Sequence, residues 1–260
     1  MDTELLYDIQ DGVGTITFNR AEARNALTFA MYQRIGDICA SVPTDGSVKV
    51  IVMTGAGERA FAAGTDIGQF RGFSTPEDAI AYENRIEGVL DRIERCPVPT
   101  IAAISGACTG GGASIALCCD LRIATRSAKF GYPVARTLGN CLSVANYARL
   151  VAVFGPARVK ELVFTARLLE AEAGERLGLY NEVVDDHEQL MVRVVELCRL
   201  IKGHAPLTMR ATKEALRRIM TAGVDGLEGE DLILMCYMSE DFREGMDAFL
   251  TKRTPEWKGR

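Results

Sequence analysis

Histidine is nearly absent from this 260-residue chain: only His187 and His204 carry an imidazole, both late in the sequence. A zinc site has little to draw on, and no metal is expected. Blocks of Lys and Arg are missing as well. With a net charge of −5 and no basic stripe to meet a phosphate backbone, nucleic acid is not an expected partner. No window of about 18 residues is free of charges and strong breakers, so no membrane span is expected. The opening MDTELLYDIQ has neither a basic region nor a long apolar run, and no signal peptide is read there. Eight cysteines are present, but they lie mostly inside apolar segments and none is spaced C-x-x-C. Buried free thiols in a reducing cytoplasm are expected, not a disulfide framework.

What is present is enough apolar sequence, 48% of the residues, for one large core, with or without an extension. The stretches 4–10 and 13–20, split by Asp11-Gly12, read as a β-hairpin. Thr28 is placed to cap a helix whose apolar face runs through Leu27, Met31, Ile35 and Ile38. VKVIVMTG (48–55) is a nearly continuous apolar strand, as expected of a sheet covered on both faces. A long helix is predicted over 76–95, then the strand TIAAIS, a helix over 111–118, and the strands LRIAT and KFGYP. Beyond residue 140 the pattern is helical, over 142–154, 156–164, 170–177, 187–203, 206–222 and 225–250, the last with a break. In 187–203 the residues Leu190, Val194, Leu197 and Ile201 share one face. The chain is therefore α/β in its first half and helical in its last third.

The stretch GACTGGGASIALCCD (106–120) carries the first chemical signal. Three glycines between a buried strand and an apolar helix leave backbone N–H donors exposed at a helix N-terminus. That arrangement suits an anion or an oxyanion, and equally a tight turn with close packing. A P-loop would need Lys after its glycines, and a dinucleotide fingerprint would need glycine at Ile115. Gly112-Ala113-Ser114-Ile115-Ala116 approximates a nucleophile elbow but ends in alanine. A second loop, AFAAGTDIGQF (60–70), also follows a buried strand with small residues. Two donors from two strand-end loops are what an oxyanion hole requires.

Five segments, NRAEARNAL, VIVMTGAGERAFAAGTDI, PTIAAISGACTGGGASIALCCDLRIA, AKFGYP and FREGMDAFLTKRTPEW, closely resemble the crotonase superfamily, the enoyl-CoA hydratase/isomerase family. The resemblance runs in order from about residue 6 to the C-terminus. It implies a crotonase-like spiral of ββα units over 1–195 and a C-terminal helical trimerisation region over 196–260, assembling as a homotrimer or a dimer of trimers. It implies an acyl-CoA substrate, with coenzyme A as part of the substrate and no separate cofactor, and a lyase or isomerase activity. The N–H groups of Thr65 and Gly111 would bind the thioester oxygen. Arg24, Ala26, Ala63, Asp66 and Ile67 would lie along CoA, and Phe249 and Lys252 would reach the CoA of a neighbouring subunit.

The pattern breaks at the two positions where family hydratases carry glutamates. Here they are Ser114 and Val134. A positioned acid or base is worth about 10²–10⁴ in rate, and neither replacement supplies one unaided. The family's usual proline and paired glycines downstream are replaced by RTLGNCLSVANYARL. Tyr132, Arg136, Asn140, Cys141 and Ser143 are expected around the acyl pocket, and Glu83 and Glu87 lie on the preceding helix. Arg136 could hold a substrate carboxylate or face solvent. The sequence thus leaves open an enolate-forming enzyme, a decarboxylase of a carboxyl-bearing acyl-CoA, a CoA-thioester-binding protein without catalysis, and a hydrolase using Ser114 with one of the histidines.

Overall fold

The computed structural model describes residues 3–71, 74–222 and 230–260. The chain opens with β1 (Leu5–Gln10), β2 (Val13–Phe18) and α1 (Phe29–Ser41). Asp11 and Gly12 both take positive φ, 49° and 72°, the conformation that twists a two-residue hairpin correctly. The Thr28 hydroxyl caps α1 by accepting from the Met31 N–H.

Three further strand-strand-helix units follow. They are β3 (Val50–Gly55), β4 (Ala60–Ala62) and α2 (Pro76–Glu94); β5 (Thr100–Ile104), β6 (Ala107–Thr109) and α3 (Gly111–Cys118); and β7 (Leu121–Thr125), β8 (Lys129–Gly131) and α4 (Val144–Thr165). In each of these three, the first strand enters a six-stranded sheet and the second enters a four-stranded one. The orders are β1-β2-β3-β5-β7-β10 and β4-β6-β8-β9, completed by β9 (Leu169–Glu170) and β10 (Glu182–Val184). All pairings are parallel except β1 with β2 and β8 with β9. This is the expected spiral of ββα units. The strand β6 escapes a sequence reading because its three residues sit between Gly106 and Gly110 and look like part of one glycine turn.

β3 is buried along its whole length, and its alternate residues face two cores. Ile51 and Met53 join the main core with α1 and α2. Val50 and Val52 pack with Ile101 and Ile123 against Leu190, Val194 and Ile201, the predicted face of a helix that follows α5 (Ala171–Arg176) and spans His187–Lys202, here α6. α2 begins with a capping box between Thr75 and Asp78 and with Pro76 at its first position. α4 is interrupted at Gly155, φ 70°, beside Pro156, where the sequence reading also divides it. The chain closes with α7 (Pro206–Ala222), α8 (Glu230–Tyr237) and α9 (Glu240–Thr251). Among the described residues no helix is long and apolar enough to cross a membrane.

All eight cysteines are free; Cys141 is exposed and Cys236 partly so, while the others are buried. Burial pushes the Cys119 thiol up to about 12, so it stays a neutral core group.

Candidate active site

The spiral itself brings the two glycine loops together. β4 and β6 are neighbours, paired Ala60 to Ala107 and Ala62 to Cys108, so the loops that leave them run side by side. Gly64 and Gly110 take φ of 111° and 53°, and a Cβ on Gly110 would stand only 3.4 Å from the Gly64 Cα. The Gly110 N–H is tied to the third loop, donating to the Gly131 carbonyl at 3.0 Å. Leu27 bridges to this region through the Gly64 carbonyl and the Asp66 N–H, at 2.8 and 2.9 Å, a pairing that bypasses the Thr65 N–H. The N–H groups of Thr65 and Gly111 have no acceptor among the described residues, and both residues line one cavity of about 200 Å³.

A chain of hydroxyls backs these donors. The Thr65 Oγ1 lies 2.9 Å from the Tyr32 hydroxyl and 3.0 Å from that of Tyr82. Tyr32 is fully buried on α1, and burial raises its phenol far above the ordinary tyrosine range, so it stays protonated. Its oxygen covers Gly111 so closely that a Cβ there would be 1.7 Å away. A Cβ on Gly112 would fall 2.4 Å from the Ala62 carbonyl oxygen. The glycine triplet is therefore required by contact on two sides.

Ser114 and Val134, where the resemblance implies glutamates in family hydratases, both line this cavity. The Ser114 Oγ lies 3.1 Å from the buried Tyr132 hydroxyl, so Tyr132 stands behind the wall and supports Ser114. The histidine a hydrolase would need is elsewhere: the His187 Nδ1 is 2.9 Å from the Ser105 Oγ, and His204 does not line the cavity. Asn140 and Cys141 line it from the exposed segment before α4, where Cys141 departs from the expected buried thiols. Arg136 does not line it and is exposed. It ends a 3₁₀ turn, Pro133–Ala135, in which residues three apart share a side; Val134 and Thr137 face the cavity and Arg136 falls between them.

Of the two helix glutamates, Glu87 is engaged. Arg149 grips it at 2.6 and 3.0 Å and grips Glu94 at 2.8 Å. Glu83 lines the cavity and has no hydrogen bond or ion pair among the described residues. Partial burial, then the nearby Glu87 charge, raise its carboxyl above the ordinary glutamate range. It is the one acidic residue among the described residues lining the cavity.

The residues expected along CoA also gather on one strip. The Ala63 N–H donates to the Arg24 carbonyl at 3.0 Å, and Ala26 adjoins the Leu27 bridge. Asp66 accepts from the Gly68 N–H and pairs with Arg20, each at 2.9 Å; Arg20 and then that N–H lower its carboxyl pKa. Ile67 is exposed at the cavity rim. Lys252 is exposed just beyond α9, away from this cavity. The side chain of Phe249 lies outside the described residues.

Asn25 pins the strip. It is fully buried at φ 55°, and its Nδ2 donates to the Ala60 and Ala56 carbonyls at 2.7 and 3.1 Å. Asn25→Ala leaves both unmet and should cost about 1–3 kcal/mol of unfolding free energy, read by urea denaturation. An unchanged midpoint would mean that water replaces the amide.

Sequence reasoning passes over Tyr32, Tyr82 and Asn25. The signal for Tyr32 is its place beside Met31 on the buried face of α1; nothing local marks Tyr82.

The whole-chain comparisons agree with this fold. The model of the family described as enoyl-CoA hydratase/isomerase matches residues 8–260. A short-chain-enoyl-CoA hydratase of Clostridium acetobutylicum is 34% identical over 97% of this chain and 96% of its own length. A crotonyl-CoA hydratase of Syntrophomonas wolfei is 33% identical over 96% and 95%. The crystal structure of an enoyl-CoA hydratase/carnithine racemase from Magnetospirillum magneticum superposes with a TM-score of 0.91 at 31% identity, covering 100% of this chain and 97% of that one. With two donor loops raised by adjacent units of a ββα spiral and a family match over almost its whole length, the chain belongs to the enoyl-CoA hydratase/isomerase family, the crotonase superfamily.

Proposed function

We propose that this protein processes an acyl-CoA thioester through its enolate, and that the reaction is a proton shift of the isomerase type. The observation that carries this reading is the pair of unengaged N–H groups, Thr65 and Gly111, on the wall of one cavity. When a proton leaves the thioester's α-carbon, charge builds on the carbonyl oxygen. Fixed donors stabilise that charge, and losing one costs about 3 kcal/mol in comparable sites.

Glu83 is assigned the proton. Its carboxylate takes the α-proton of a 3-enoyl chain, and the resulting carboxylic acid returns it at the γ-carbon of the dienolate, which moves the double bond to the 2-position. One carboxylate serves both half-steps. Adding water in the manner of the two-glutamate relatives would draw on Ser114 and Val134, which supply no acid-base group of comparable strength. The exposed place of Arg136 removes the anchor that would have favoured decarboxylation. The strip from Arg24 to Ile67 is assigned to CoA. In the trimer or dimer of trimers that the family resemblance implies, Phe249 and Lys252 would meet a neighbouring subunit's CoA. A cytoplasmic location fits the free thiols.

The test is incubation in heavy water with crotonyl-, 3-butenoyl-, butyryl- and methylmalonyl-CoA, each followed by mass spectrometry. Deuterium uptake with interconversion of the two butenoyl isomers is expected. Gain of water would make the protein a hydratase despite Ser114 and Val134. Loss of CO₂ would favour the decarboxylase, and binding without change would mean a non-catalytic thioester-binding protein.

A further inference from the structure

A second cavity, of about 470 Å³, opens at the amino-terminal ends of β3 and β5 and shares no lining residue with the cavity that holds Thr65 and Gly111. Its volume is that of a site for a small molecule. In a chain of net charge −5, its wall carries Lys49, Lys202, Arg210, Lys258 and Arg260 against the one acidic side chain of Asp45, among the described residues. Asp45 is engaged in its own turn, accepting from the Ser47 N–H and hydroxyl at 2.9 and 2.6 Å.

Two of the five cations are neutralised, Lys202 by Asp11 at 2.5 Å and Arg260 by Glu240 at 3.3 Å. Lys49, Arg210 and Lys258 have no ion pair among the described residues. Arg210 gives only its Nε, to the Pro97 carbonyl at 3.5 Å. That bond orients the guanidinium and leaves both terminal nitrogens without a partner among the described residues. Three distant parts of the chain thus bring uncompensated positive charge to one concavity. Like charges gathered this way repel one another, and a bound anion relieves the repulsion.

The rest of the wall is stiff and flat. Four of the chain's eight prolines, Pro43, Pro97, Pro99 and Pro206, line it; their fixed φ leaves little to order when a ligand enters. Trp257 lines it too, with its ring set by the indole N–H, which donates to the Gly203 carbonyl at 2.9 Å. We propose that this cavity is a second ligand site, for a nucleoside diphosphate. Its base stacks on Trp257, and its phosphates, which carry about three negative charges at neutral pH, meet Lys49, Arg210 and Lys258. Inorganic phosphate would leave the aromatic face bare, and a nucleoside would leave the cations unanswered. The proposal is independent of the acyl-CoA reading above.

Trp257 is the only tryptophan in the chain, so its fluorescence reports on this cavity. The test is titration of the full chain with ADP, pyrophosphate and adenosine, followed by that emission and by calorimetry. ADP should quench Trp257 with a Kd below about 100 μM, and pyrophosphate and adenosine should each bind at least about tenfold more weakly. Lys49→Gln combined with Lys258→Gln should weaken ADP by about tenfold or more, with the melting temperature unchanged because neither lysine holds an ion pair. Absence of ADP binding up to about 1 mM overturns the proposal. Pyrophosphate binding as tightly as ADP overturns it as well, because the cavity is then an anion patch with no place for a base; these arms need no variant. So does an ADP affinity that survives the double substitution. Calorimetric binding of ADP that leaves the Trp257 emission unchanged puts the nucleotide elsewhere, and the proposal falls.

Discussion

Glu83→Gln should lower turnover of an enoyl thioester by about 10²–10⁴-fold while KM moves by less than about threefold. The amide keeps the size of the side chain and its place on α2 but cannot accept the α-proton. A second readout separates this role from a structural one. Glu83 works as a carboxylate, so the rate should fall as pH drops through its pKa. Burial, then the Glu87 charge, raise that pKa above the ordinary glutamate range, and the acid limb of the kcat/KM profile should lie correspondingly high. In Glu83→Gln the limb should vanish from whatever rate remains. A variant that keeps both its rate and its acid limb would take the proton away from Glu83 and give it to another group on the wall.

Gly111→Ala is the second large effect. The backbone at Gly111 is not in the left-handed region, so alanine is not excluded by torsion. It is excluded by space, because the new methyl group would stand 1.7 Å from the Tyr32 hydroxyl and 3.2 Å from the Thr65 Oγ1. Either the phenol is driven off Thr65 or α3 moves, and in both cases the two N–H groups no longer converge. A loss of about 10²–10³ in kcat is expected, the cost of one misplaced oxyanion donor, together with a lower melting temperature. Adding Tyr32→Phe removes the clashing oxygen and should recover part of the stability. It should not recover the rate, because one of the two hydrogen bonds that hold Thr65 is also gone. Full activity in Gly111→Ala would remove the oxyanion hole from the mechanism.

Much of the scaffold is legible without coordinates because its signals are local. The Thr28 cap, the buried run Val50–Met53 and the α6 face through Leu190 and Val194 each follow from a period or a capping residue. The cavity is legible only in part. Thr65 and Gly111 announce themselves by small residues after strands. Tyr32 and Tyr82 do not, since their roles arise from α1 and α2 packing over loops tens of residues away. Glu83 and Glu87 show the limit most clearly. They lie one helical turn apart, and the spacing in α2 cannot say which of them Arg149 takes. Arg136 misleads for the opposite reason: it is close in sequence to Val134, but a 3₁₀ turn points neighbours in different directions.

The pairing of β4 with β6 has a consequence for what this scaffold can become. Hydrogen-bonded strands stand about 4.8 Å apart, and that distance is set by peptide geometry rather than by side chains. The two donor loops inherit their separation from this fixed ruler. Substitutions can exchange acids, hydroxyls and amides around the cavity without widening or narrowing the space between Thr65 and Gly111. New activities on this chain should therefore come from re-dressing the walls, and any substrate would have to bring one carbonyl oxygen to the same gauge.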